Sequence, residues 1–340
     1  MNNINEMYDI LRNIMAIDSP IGYTKKAEDY VYDYLKNLGY EPQRCKVGGV
    51  YCNISDGDGE SLILTAHMDT LGAMVKEING CGRLNITPLG ALNANNVECE
   101  NCKVYTRDGR VYTGTVQLKN ASTHVNKSYD ATKRDFDSVE VVLDYVVNSK
   151  DDVQSMGIDV GDIVAVDPRL VITESGYIKS RFLDDKAGAA VLLYLAKQMK
   201  SLKTNKNISL HFSANEEMGF GASALVNKNA DTLLAIDMGC VGDGLNGSEQ
   251  KVSICAKDSC APYNYEMVSK LISICKAENI DYAVDIYPAY GSDAEAAIRA
   301  GLDTRFALIG MGVYASHGYE RTHKDGMEGT FKLIKAYIEE

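Results

Sequence analysis

The sequence predicts an α/β fold, a mostly parallel, doubly wound sheet interrupted by an inserted β-rich domain. Three observations predict it. Short apolar runs alternate with amphipathic helical stretches toward both ends of the chain, the pattern of parallel strands joined by crossover helices. From about Leu71 to Leu170 the pattern changes to short alternating runs punctuated by turn residues, which suits an antiparallel unit. The 340 residues also exceed the size at which one hydrophobic core usually stops growing, so two domains are expected. The expected organisation is one α/β domain from residues 1–70 and 171–340, with residues 71–170 inserted into it.

Each element has its own signal. Ala27, Val31, Tyr34 and Leu38 share a helical face, with Thr24 placed to cap the start and Gly39 the end. SLILTA, residues 61–66, reads as a strand. In the insertion, KVYTRDGRVYT contains Asp108 and Gly109, a pair that favours a tight hairpin. DDKAGAAVLLYLAKQMK then reads as a helix, ISLHFSA as a strand, and TLLAI as a strand ending at Asp237. Ser292 and Glu295 have capping-box spacing at the start of DAEAAIRAG, and Gly301 stops that helix. RFALIG reads as a buried strand, and Met327, Phe331, Ile334 and Ile338 line one face of a last helix.

Composition narrows the function. A net charge of -12 repels phosphate backbones, so nucleic acids and anionic membranes are poor partners and small substrates or peptides better ones. The first twenty residues lack a basic segment followed by a long apolar run, and no stretch is apolar for long enough to span a bilayer. Nine scattered cysteines read as reduced thiols, which points to the cytoplasm. Cys99 and Cys102 form a lone CxxC without further ligands nearby and read as an ordinary loop.

The acidic and histidine residues fall at predicted strand ends, where open α/β sheets bind ligands. His67 and Asp69 follow SLILTA, Glu216 and Glu217 follow ISLHFSA, Asp237 ends TLLAI, and Asp184 opens a helix. A hydrolytic site with two metal ions needs hard or borderline ligands, an open position for water and a carboxylate bridge. These residue types meet that demand. Alternation along the strand places Asp69 on the side of His67, where its carboxylate can accept from the ring nitrogen that binds no metal. Adjacent Glu216 and Glu217 point in different directions, so one can ligate while the other acts as general base. His124 and His211 lack partners at ligand spacing and read as core histidines, and Cys240 reads as a buried thiol.

LTAHMDTLG, GDIVAVDPRL with RFLDDKAG, SANEEMGFGA, AIDMG, YGSDA and a histidine before the final helix together resemble the glutamyl or deblocking aminopeptidase family of tetrahedral metallopeptidases. The resemblance implies a dinuclear metallo-aminopeptidase acting on short peptides, with zinc or cobalt as the two ions. It implies His67 and Asp237 as terminal ligands on opposite ions, Asp184 as the bridge, Glu217 as a further ligand and Glu216 as the base. Asp293 corresponds to a position on the substrate side. Thr70 stands where relatives often have Glu. His317 lies eight residues before Asp325 and His323 only two before it, and SHGYE around His317 better matches the family's loop. Residues 71–170 correspond to a β-rich dimerisation domain, and the family builds dodecamers from such dimers. The alternatives are a carboxypeptidase or N-acyl deacylase of the related co-catalytic class and, further off, a glycosidase using the glutamate pair.

Overall fold

A computed structural model describes residues 4–225 and 227–340. The chain divides into two compact units, residues 1–69 with 169–340 and residues 70–168.

The first unit is built on a mixed sheet, twelve-stranded among the described residues. At its centre four parallel strands lie side by side in the order Asn207–Ser213, Ser61–His67, Thr232–Ile236 and Arg305–Tyr314. Antiparallel neighbours flank them, Val50–Asp56 on one side and Val252–Lys257 on the other. The central strands are apolar and almost wholly buried, as expected where helices cover both faces of a sheet. Helix Leu183–Gln198 is buried all round apart from Lys197, and it packs between helix Asn5–Met15 and strand Ser61–His67. The final helix, Lys324–Glu339, buries Met327, Phe331, Ile334 and Ile338.

Two capping expectations fail. Ser292 precedes helix Asp293–Arg299, but its hydroxyl pairs with that of Tyr263 at 2.9 Å, and Glu295 turns to Arg299 instead of back to the cap. Thr24 likewise gives its hydroxyl to Glu28 at 2.7 Å. In both places the hydroxyl is engaged by another side chain and makes no hydrogen bond to the helix's first N–H groups.

The second unit is a closed antiparallel barrel of six strands, Gly72–Ile78, Leu84–Leu89, Asn101–Tyr105, Val111–Leu118, Val139–Leu143 and Ile163–Val166. Closure removes the exposed strand edges that an open sheet of this size would leave. Val75, Ile86, Val104, Val116, Val141 and Val164 fill its interior. The expected hairpin is present: Tyr105 pairs with Val111, and Gly109 takes the positive φ of 85° that the connection needs. His124, expected in the core, is exposed on the long connection between residues 118 and 139.

Candidate metal centre

The four central strands run in the same direction, so their carboxyl ends meet at one rim. His67 ends Ser61–His67, Glu216 and Glu217 follow Asn207–Ser213 within a few residues, Asp237 follows Thr232–Ile236, and His317 lies just beyond Arg305–Tyr314. Asp184 reaches the same rim from the start of helix Leu183–Gln198. Gly310 permits part of this convergence: a Cβ there would lie 1.6 Å from the main-chain oxygen of Asp237.

The carboxylate of Asp184 stands between two imidazoles. Its Oδ1 is 3.0 Å from His67 Nε2 and its Oδ2 is 3.3 Å from His317 Nε2. Glu217 Oε2 lies 3.4 Å from the same His317 nitrogen, and Glu216 Oε2 lies 3.7 Å from His67 Nε2. Oxygen and nitrogen atoms of His67, Asp184 and Glu217, and of His67, Glu216 and Asp237, fall within 4.8 Å of one another. Donors bound tetrahedrally at about 2.0–2.1 Å from a zinc ion sit roughly 3.3 Å apart. The contacts of 3.0–3.7 Å are compatible with donors arranged around shared ions.

Burial and mutual charge explain the proton affinities. Burial, reinforced by Asp184, lifts Asp237 to about 7. Burial and the charges of Asp237 and Glu217 push Glu216 well up, and burial with Asp184 does the same to Glu217. His317 rises to about 9, chiefly through its hydrogen bond to Asp184. Burial opposes the charging of His67, but Asp184, Glu216 and Asp69 outweigh it and raise its pKa. Asp184 alone shifts down: burial works against its charge, yet the two imidazoles overcome it. Such a cluster holds protons where divalent cations would neutralise the same charge, and its imidazole and carboxylate donors fit divalent metal ions.

Other carboxylates brace these donors through main-chain amides. Asp69 accepts from the N–H groups of Glu216 and Glu217, both at 3.2 Å. That corrects its expected part, because His67 Nδ1 donates at 3.0 Å to the main-chain oxygen of Asp69, while the carboxylate stays 3.6 Å away. The proton so fixed on Nδ1 leaves Nε2 facing Asp184. Asp185 accepts from His67 N–H at 3.2 Å and Gly188 N–H at 3.1 Å. Glu320, which the sequence reading missed, accepts from Asp184 N–H and His317 N–H at 3.1 and 3.0 Å. Its only signal was its place in the SHGYE segment.

The remaining candidates separate clearly. His323 lies apart from the cluster: its Nε2 donates to Ser175 O, and its Nδ1 accepts from Asp325 N–H at the cap of the last helix. Asp293 is not on a substrate surface. It is 2% exposed, and its oxygens accept from Thr65 Oγ1 at 2.5 Å and Ala222 N–H at 2.9 Å, which turns it inward. His211 is buried against Thr65, as expected. Cys240, expected to be buried, is half-buried on the wall of a cavity of about 440 Å³ that Asp184, Glu216, Glu217, Asp237 and His317 also line. Cys99 is exposed and Cys102 buried, and neither joins a cluster of metal-type donors among the described residues.

Comparison with known proteins gives a consistent result. A family model described as M42 glutamyl aminopeptidase matches residues 48–333. The chain is 41% identical to the putative aminopeptidase YhfE of Bacillus subtilis (strain 168), covering 100% of this chain and 99% of that one. Among solved structures it resembles an aminopeptidase from the archaeon Desulfurococcus kamchatkensis, with a TM-score of 0.88 and 23% identity over 99% of this chain and 95% of that one. It also resembles the Pyrococcus horikoshii TET1 peptidase, described as assembling into a tetrahedron or a large octahedral shell, with a TM-score of 0.85 and 20% identity over 98% and 99% of the two chains.

Proposed function

The chain belongs to the M42 glutamyl aminopeptidase family and is a metal-dependent aminopeptidase, and from that premise we propose that it binds two divalent ions, zinc or cobalt, through five of its side chains. His67, Asp184 and Asp237 would hold one ion, with His67 and Asp237 together rather than on opposite ions because their donor atoms lie within 4.8 Å of each other; Asp184, Glu217 and His317 would hold the other. The observation that carries this reading is the position of Asp184, each of whose carboxylate oxygens faces a different imidazole, at 3.0 and 3.3 Å. A carboxylate so placed can serve two ions at once.

Bound there, the ions would supply Lewis acidity to the scissile carbonyl and lower the pKa of the attacking water. Glu216 accepts that water's proton and returns it to the departing amine. Burial beside Asp237 and Glu217 raises its proton affinity, the direction that favours a carboxylate accepting a proton. Asp69 fixes the main chain of Glu216 and Glu217 and so sets both side chains relative to the cavity. The acidic wall of the cavity favours a substrate that presents a free α-ammonium group, which is the distinction between an aminopeptidase and a deacylase.

Elemental analysis of the purified protein should find two ions per chain. Short peptides with a free N-terminus should be cleaved and their N-acetylated counterparts should not; equal rates on both would favour a deacylase or endopeptidase. In this proposal the inserted β unit serves assembly of a homo-oligomer, on the model of the TET1 peptidase. Light scattering on a variant bridged across residues 75–165 should then show a monomer or dimer. Nine free cysteines support a reducing, cytoplasmic setting, and no helix among the described residues is long and apolar enough to cross a membrane.

A further inference from the structure

The loop that carries Glu216 and Glu217 closes on itself. Asn215 O accepts from the N–H groups of Phe220 at 3.1 Å and Gly221 at 3.0 Å, which brings Gly221 back beside Glu216. Asp69 holds the start of this turn, and Asp293 holds its far end by accepting from Ala222 N–H at 2.9 Å. The packing there leaves no slack: a Cβ on Gly221 would lie 1.9 Å from Asp293 Oδ1 and 3.4 Å from the Cα of Glu216. A side chain at Gly221 would therefore displace the carboxylate or the turn. The other oxygen of Asp293 accepts from Thr65 Oγ1 at 2.5 Å. Thr65 lies two residues before His67 on strand Ser61–His67, so both side chains leave the same face of the sheet. One buried carboxylate thus joins the strand that presents His67 to the turn that presents Glu216.

We propose that Asp293 is a positioning residue for the general base, setting through Gly221 and Ala222 where the Glu216 carboxylate stands relative to His67. The proposal rests on the reading of Glu216 as that base. Asp293 acts through its neighbours, because it is buried and its two oxygens are taken by Ala222 and Thr65. Asp69 fixes only the first amides of the turn, so without Asp293 the turn can pivot about them. A displacement of about 1 Å at a reacting group can cost about 100-fold in rate.

On metal-loaded enzyme, Asp293→Ala should lower kcat about 10- to 100-fold while KM stays within about twofold and metal content stays at the parent value. Asp293→Asn keeps an oxygen for Ala222 and turns an N–H toward the Thr65 hydroxyl, so it should recover kcat to within about threefold. Hydrogen exchange on the metal-free protein, read by mass spectrometry, should be faster across residues 215–222 in Asp293→Ala and unchanged in Asp293→Asn. Gly221→Ala tests the same tie with Asp293 in place. It should lower kcat about tenfold or more alone, and less than about threefold when added to Asp293→Ala, since the oxygen its methyl meets is then gone. If Asp293→Ala does not fold, Gly221→Ala alone decides, and an unchanged kcat there overturns the proposal. Lower stability in Asp293→Ala with kcat unchanged also overturns it, as does a loss of activity that excess metal fully reverses. If Glu216→Gln keeps the parent's turnover, the base reading falls and this proposal with it. If Glu216→Gln loses turnover while Asp293→Ala and Gly221→Ala match the parent, this proposal alone fails.

Discussion

Glu216 and Glu217 are adjacent, yet replacing each by glutamine should produce different kinds of damage. Both main-chain N–H groups are held by Asp69, so either near-isosteric replacement leaves the loop where it is. What changes is one carboxylate. In Glu217→Gln the carboxylate lost is the one 3.4 Å from His317 Nε2, leaving that ion His317 and a single oxygen of Asp184. Loss of a partner that merely supports a ligand costs about 10- to 100-fold in metal affinity, so loss of a ligand should cost at least about 100-fold, or ~2.7 kcal/mol. Excess metal should partly restore activity. In Glu216→Gln the proton acceptor is lost. Turnover should fall about 10²- to 10⁴-fold, a barrier increase of ~2.7–5.5 kcal/mol, while metal content stays at the parent value. Elemental analysis beside kcat at saturating metal separates the two. Because Glu216 also sits within ligand distance of His67 and Asp237, the reverse pattern is a physical possibility. If Glu216→Gln loses metal and Glu217→Gln keeps it, the roles are exchanged; if neither variant changes turnover, the dinuclear assignment is wrong.

Three further outcomes are expected. His317→Ala should remove one ion per chain by elemental analysis, whereas His323→Ala should keep both and lower stability by about 0.5–2 kcal/mol through loss of the helix cap. Asp69→Asn presents one oxygen and one N–H₂ to two main-chain donors; leaving one donor unpaired should cost about 1–3 kcal/mol, read by denaturant melting, together with a fall in kcat. The metal-free protein should lose thermal stability as pH rises from about 5 to 9. Asp237, Glu320 and His317 have folded-state values raised to about 7, 8 and 9, so each contributes stability that is present below its unfolded value and lost as pH climbs through the folded one. Added zinc or cobalt should flatten the profile, and an unchanged slope with metal bound would mean that these groups are not the ones neutralised.

The sheet was legible in the sequence because buried parallel strands are continuous apolar runs, and their ends could be read from the first charged residue that follows. His67 and Asp237 sit directly at such ends, so their place at the rim was legible, while their roles as ligands came from the resemblance. His317 was harder, since its main chain has a φ of 62° and the approach of its ring to Asp184 depends on the path of the loop after Tyr314, which spacing does not encode. Capping-box spacing at Ser292 and Glu295 was misleading for a related reason. The motif describes one local option, and two others are taken instead: Arg299, one turn along the same helix, pairs with Glu295, and Tyr263, brought near by the fold, pairs with Ser292. Asp293 faced the same competition, between an open cavity and the buried hydroxyl and amide that claim it.

The braces around the centre explain how a crowd of like charges can be held in place. Each brace belongs to a different element from at least one donor it fixes. Asp69, beyond strand Ser61–His67, secures the loop carrying Glu216 and Glu217; Asp185, on the helix, secures His67; Glu320, beyond strand Arg305–Tyr314, secures both Asp184 and His317. The strands and the helix are thus tied to one another at the rim by carboxylate-to-amide hydrogen bonds, which grow stronger as the acceptor becomes charged. Cations entering the cluster favour the ionised carboxylates and thereby tighten the same ties. Metal binding and ordering of the rim are therefore coupled, and a substitution at Glu320, which is buried and accepts from the amides of Asp184 and His317, should disturb two proposed ligands at once.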